Sequence, residues 1–489
     1  MKLSRRDLLA AGGLLLGTSV GCGKLDQALL GSLLEPALPS GPFAAPKSSR
    51  IDPIRHVLNR LSFGPRPEDY GRVSKLRPDP DDAVVAYIEE QLHPETIDDP
   101  LAQWAIRRLE TLDDPPGLLF EYQPEVLLEE LTRGTLLRAV YSRRQLYEVM
   151  VQFWTDHFNI DASKGDCKWL KAADDREVIR RHALGRFRDL LRASALSPAM
   201  LWYLDGRVNR KASATDRPNE NYARELLELH TLGVDGGYSQ QDVMEVARCL
   251  TGWTVRSEEV FFKGKVEFRP ELHDDGAKQV LGHSIPAHLG AEDLDRVLDI
   301  VARHPATGHY LATKLCRRFI SETPDPAAVD RTASAFLRSD GELRETLRAL
   351  FTSDAFQNAA GSRFKRPFRF VVSALRATGA RTDGGDKLQS FLLSMGHAPF
   401  QFPTPDGYPQ DASPWLGTLL WRWNLAVALT EGRLPGTELD LDRLRVDLGG
   451  NEPLRAHLLG YRPQAAQRPE GTPAMELALL LASPAFQRF

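Results

Sequence analysis

The chain has 489 residues, 42% of them hydrophobic, and 62 basic against 66 acidic side chains for a formal net charge of −4. By length it holds about three domains or one large body with additions, and it has apolar material for a sizeable core. The mildly acidic, mixed-sign balance speaks against a nucleic-acid partner, which favours a basic face.

Ser4-Arg5-Arg6-Asp7-Leu8-Leu9 opens the chain with a twin arginine, and an apolar stretch diluted by glycines runs to Ser19-Val20-Gly21-Cys22. The apolar core of about 13 residues is short of the ~20 that cross a bilayer, so it reads as a signal peptide. Arg5 and Arg6 address the twin-arginine export machinery. A small residue before Cys22 fits cleavage after residue 21 and lipid attachment at that cysteine, on the periplasmic or cell-surface side of a bacterial membrane. Residues 22–50, punctuated by Pro36, Pro39, Pro42 and Pro46, read as a lipid-anchored tether, and 51–489 as the folded body. Without the leader, 59 basic and 65 acidic residues leave a net charge of −6.

The body is mainly α-helical in period. Asp52 and Pro53 cap a first helix. A long helix is expected over about 127–160, with Leu146, Met150, Phe153 and His157 on one face. Further helical runs follow near 176–192, 219–232, 240–252, 292–303, 306–320, 326–338, 341–352, 366–379, 386–394, 414–430 and 474–484. Ser239 and Asp242 form a capping box for the helix from 240. A short β-hairpin is expected near residues 260–268, about the Lys263-Gly264 turn. Cys167, Cys249 and Cys316 are widely spaced, without a C-x-x-C element; buried free thiols suit Cys249 and Cys316. No nucleotide, flavin or haem fingerprint is present.

The densest chemistry lies in Asn219-Glu220-Asn221-Tyr222-Ala223-Arg224-Glu225-Leu226-Leu227-Glu228-Leu229-His230. Glu225 and Glu228 share a face of a helix that is apolar on most other sides, so they point into a neighbour or a cleft. Paired carboxylates there can hold a divalent metal or divide acid and base roles. The plainer reading is an Arg224–Glu228 ion pair, with Glu225 answered by another arginine. His157 is either a hydrogen-bonded core histidine or a partner of that pair, and His273-Asp274 sits in a loop where polar groups are easily used. The Pro-rich loop carrying His397, Phe400, Phe402 and Tyr408, with Trp415 beyond it, either stacks on a sugar or peptide or clamps helices together.

Residues 219–233, continuing through Tyr238 to Thr251-Gly252-Trp253, resemble the bacterial family called domain of unknown function 1800. So do His56-Val57-Leu58-Asn59-Arg60-Leu61-Ser62-Phe63-Gly64, Phe153-Trp154-x-x-His157-Phe158, His273-Asp274-x-Gly276-x-Lys278, His304-Pro305 and Lys365-x-Pro367. Thr155 stands where members often have a second histidine, Asp406-Gly407-Tyr408 where Gly-Trp is common, and His397 where Gln is usual. The resemblance implies a helical fold, export, and a co-exported partner resembling sulfatases and alkaline phosphatases. Two functions stay open at this level. One is a hydrolytic or metal-assisted enzyme with a cleft of Glu225, Glu228, His157, His273 and Asp274. The other is a non-catalytic binding or assembly lipoprotein that docks through the aromatic loop.

Overall fold

The computed structural model describes residues 52–213, 215–258, 263–460 and 471–489. Arg5, Arg6, Cys22 and the tether lie outside them. Within them the body is mainly α-helical, and proline placement explains much of it. Helices start at Pro53, Pro80, Pro124, Pro198, Pro305, Pro326, Pro367 and Pro473. A proline in the first turn lacks an N–H that would be orphaned anyway, and its φ is preset for helix. Side-chain caps complete several of these starts, from Asp52, Asp79, His304, Asp325 and Thr472. The Ser239–Asp242 capping box forms in both directions. No described helix is long and apolar enough to cross a membrane.

The expected helix over 127–160 is two helices, Pro124–Tyr141 and Gln145–His157. Ser142 breaks it by donating its hydroxyl to Asp99 Oδ2 at 2.6 Å and accepting from the Arg144 amide at 2.9 Å. The Gln145 amide then donates to the Ala139 and Ser142 carbonyls and accepts from the Phe63 amide. These partners satisfy the backbone better than another helical turn would. The run near 176–192 divides in the same way. An α-helix, Cys167–Asp174, continues into a π-helical turn, Asp175–Arg180, and a new helix spans Phe187–Ala195. Across the π turn Arg180 bonds Asp175 at 2.7 Å and Glu148 at 3.1 Å.

The hairpin is shifted. Val266–Phe268 pairs antiparallel with Trp253–Val255, Thr254 opposite Glu267, whereas residues 259–262 lie outside the described set. Gly252, at φ +87°, turns the chain out of the preceding helix; a Cβ there would sit 2.9 Å from the Arg269 carbonyl. The aromatic and β-branched Trp253-Thr254-Val255 then takes the strand. Lys278–Val280 pairs with His283–Ile285, and Arg381–Thr382 with Thr437–Glu438.

At the centre runs helix Pro367–Thr378, every residue of which is buried. Arg369 donates to the Asn59 and Ser62 carbonyls. Arg376 donates to the carbonyls of Gly64 (2.6 Å) and Val140 (2.7 Å) and pairs with Asp69 at 3.1 Å. Helix Leu419–Thr430 packs on Pro473–Ala482, and Pro305–Phe319 on Pro326–Arg338. Cys167, Cys249 and Cys316 are buried free thiols. Replacing Arg376 by Met takes the side-chain donor from the buried Gly64 carbonyl, one of two from Val140, and the ion-pair partner from Asp69. The variant is expected to lose about 3 kcal/mol of stability in urea unfolding.

Candidate functional site

Helix Asn221–Glu228 is positioned by its own leader: Asn209 Oδ1 accepts from the Asn219 amide, and Asn219 Oδ1 from the Asn221 amide. Tyr222, Ala223, Leu226 and Leu227 are buried, while Glu225 and Glu228 stay half-buried on the remaining face. Arg224 turns to Glu220 (3.1 Å) and Gln240 (2.9 Å), not to Glu228. Among the described residues neither Glu225 nor Glu228 has an arginine across it. Burial, then the Glu228 charge, raise the Glu225 pKa above its ordinary value, and Asp406 adds to this. Glu228 accepts a long hydrogen bond from the Tyr238 hydroxyl, 3.4 Å.

His157 ends its helix with both ring nitrogens engaged, at 3.1 Å from the His230 carbonyl and 2.9 Å from Lys314 Nζ. The network assigns the ring proton to Nε2, which donates to the carbonyl, leaving Nδ1 to accept from the ammonium. Burial, then Lys314, hold His157 far below its ordinary value, so the ring is neutral. Lys314 itself is lowered to about 8 by burial, against the raising influence of Asp156 and Asp406. One turn earlier, Tyr310 lies 6.3 Å from the His157 ring and is raised to about 12 by burial, then by Asp406 and Glu228. Gly233, at φ +85°, leaves room for that tyrosine; a Cβ there would meet its ring at 2.8 Å.

Glu225, Glu228 and His157 therefore fall in one electrostatic neighbourhood, centred on Lys314, Tyr310 and Asp406. Sequence reasoning passed over those three as site residues. The available signal was the Tyr310–Lys314 spacing of one helical turn, two polar tips on a largely buried helix. Beneath Lys314, Asp156 pairs with buried Arg366 at 2.7 Å. Asp156 also lines a cleft with Gln152, Thr155, His397, Phe400 and Tyr408.

His273 and Asp274 belong to a different network. The buried His273 lies 2.8 Å from the Thr251 carbonyl and 3.1 Å from Asp293 Oδ2, which also receives Lys278 at 2.5 Å. Asp274 is held at about 2, chiefly by its bonds to Arg248. Among the described residues no bond or ion pair joins this network to Glu225 or Glu228. No group of three or more His, Cys, Asp or Glu side chains there is arranged to hold a metal ion.

The aromatic loop faces inward. His397 accepts from the Phe368 amide and stacks on Trp415, and the Tyr408 hydroxyl donates to the Ala398 carbonyl. Phe402 packs on Tyr408, and Phe400, at φ +63°, is buried in a side cluster with Leu119 and Leu131. The exposed apolar side chains come just after: Leu416 (52%), Leu420 (53%) and Trp421 (41%).

His230 lies beside His157, fully enclosed, with no partner on either ring nitrogen, and burial holds it at about 3. The ring is neutral when folded but takes a proton near 6.5 when unfolded. Its contribution to stability is therefore complete above pH 6.5 and is lost as the pH falls below it, by about 2 kcal/mol at pH 5. His230→Phe is expected to keep stability at pH 7 and to show a smaller drop in urea midpoint from pH 7 to 5. Equal acid sensitivity in both proteins overturns this account.

A family model described as "Protein of unknown function (DUF1800)" matches residues 56–488. No curated protein and no solved structure matches the chain. The match spans nearly the whole described body and includes every helix that builds the cleft, so the chain belongs to the DUF1800 family.

Proposed function

We propose that this is an exported, lipid-anchored enzyme that carries out hydrolytic general acid–base chemistry with Glu225 and Lys314. The observation that carries the reading is a pair of oppositely tuned groups: Glu225 raised, Lys314 lowered to about 8. A carboxylate made more basic is a better base toward water at neutral pH. An ammonium made more acidic is a better proton donor to a leaving group. Neutral His157 accepts from the ammonium and orients it, while Asp156 and Asp406 keep it charged. Tyr310 and Glu228 flank the pair. Both proton transfers are assigned to Glu225 and Lys314. The twin arginine and Cys22 support placing this site on the outer side of a bacterial membrane.

A second reading, a docking lipoprotein acting with a co-exported sulfatase- or phosphatase-like partner, is supported by the exposed strip at Leu416, Leu420 and Trp421.

The mature protein is to be assayed on nitrophenyl esters, amides, glycosides and phosphates. Turnover is expected to fall as the pH rises through about 8, where Lys314 loses its proton. Lys314→Met and Glu225→Gln are each expected to cost about 100-fold in kcat. Equal rates in the parent and both variants across the panel sink the enzyme reading. For the address, Arg5→Lys with Arg6→Lys is expected to leave the protein in the cytoplasm. Cys22→Ala is expected to abolish incorporation of labelled palmitate while export continues.

A further inference from the structure

Around the first turn of helix Pro367–Thr378 the interior carries a concentration of positive charge that the acid–base pair does not use. Arg60, Arg318, Arg363, Arg366 and Arg369 are each at most 4% exposed. Lys365 and Arg422 stand beside them, equally enclosed. Among the described residues two acidic side chains pair with the cluster, Asp156 on Arg366 and Glu322 at 3.8 Å from Arg363, and Asp411 adds a weaker favourable charge to Arg363. The strongest charges acting on Arg369 are all guanidiniums, those of Arg318, Arg60, Arg366 and Arg363.

The donors are as unbalanced as the charges. Nε and Nη1 of Arg60, Arg363 and Arg369 are buried without a hydrogen-bond partner, as is Nε of Arg318. The Phe489 ring lies under Arg369 at 3.7 Å and Arg60 at 4.9 Å, and Phe486 under Lys365 at 3.6 Å. Aromatic faces ease a cation's burial but supply neither acceptors nor countercharge. Guanidinium does not shed its proton in proteins, so enclosed charge of this kind is stable only when paired and hydrogen-bonded. A cleft lined by Asn59, Gly361, Lys365, Ser373 and Phe489 ends beside the cluster, at Lys365 and at the Phe489 ring that covers Arg369 and Arg60.

We propose that the native protein holds a small tetrahedral oxyanion, phosphate or sulfate, among Arg60, Arg363 and Arg369, admitted through the cleft at Lys365 and Phe489. Such an ion offers several acceptor oxygens to convergent guanidiniums and carries the missing charge. The seat is enclosed, which favours a free ion over a lipid headgroup.

The test compares thermal unfolding of the full mature protein, freed of oxyanions by dialysis, in phosphate, sulfate and chloride at matched ionic strength. Phosphate or sulfate at about 10 mM is expected to raise Tm by roughly 3 °C over chloride, and the larger rise names the ion. Arg363→Gln, at the rim of the cluster, is expected to fold and to lose that rise; Arg369→Met is the second variant. Protein purified without dialysis is expected to release the same ion on denaturation, read by ion chromatography. Identical Tm in all three salts, with no ion released, overturns the proposal. So does binding seen only with phosphatidic acid vesicles and not with free phosphate.

Discussion

A helix buried on every side must have its polar groups answered by the protein or by something the protein binds, and Pro367–Thr378 imposes that condition on the rest of the body. Its ordinary backbone is satisfied internally; its side chains are not. Arg369 and Arg376 reach out to carbonyls at Asn59, Ser62, Gly64 and Val140, where the chain leaves regular helix and has acceptors to spare. Three of these bonds tie residues near the start of the body to residues more than 300 positions later. Ser373 accepts from Lys365, and the Phe368 amide donates to His397. The Pro-rich loop is thereby drawn down onto the helix, and its aromatic rings close over it.

That closure shapes the candidate site. The loop brings Asp406 toward the helices that carry His157 and Lys314, and Gly407 is pressed so tightly on the Asp156 carbonyl that no side chain fits there. With φ at +74° this glycine meets two demands at once, a left-handed backbone and a close approach. The charges that act on one another at the site come from four distant stretches: residues 145–157, 221–228, 305–319 and the loop. Burial moves Glu225 and Lys314 in opposite directions, since desolvation disfavours the charged form of each.

Much of the scaffold was legible in the sequence because it depends on local rules. The Asp52–Pro53 start and the Ser239–Asp242 box act over three or four residues, and both formed where expected. Helix period, in contrast, carries no information about distant partners. Ser142 reads as an unremarkable helical position until Asp99 is placed beside it, and the strand at Trp253 depends on the turn at Gly252. The site was half legible for the same reason. Glu225 and Glu228 stand out by spacing on one helix, whereas Lys314 becomes notable only when His157 and two carboxylates from elsewhere surround it. His273 and Asp274 form a conspicuous motif because they lock a loop to Asp293 and Arg248.

The three enclosed thiols have a consequence for maturation. Cys167, Cys249 and Cys316 each sit in a different part of the core, and burial pushes the Cys167 thiol up to about 12 and Cys316 to about 11. Thiols so reluctant to ionise are poor nucleophiles, and among the described residues none is joined to a second cysteine. Once folded, the body is accordingly indifferent to redox potential. In a reducing or an oxidising medium alike, these three buried thiols leave it no bond to form, reshuffle or repair.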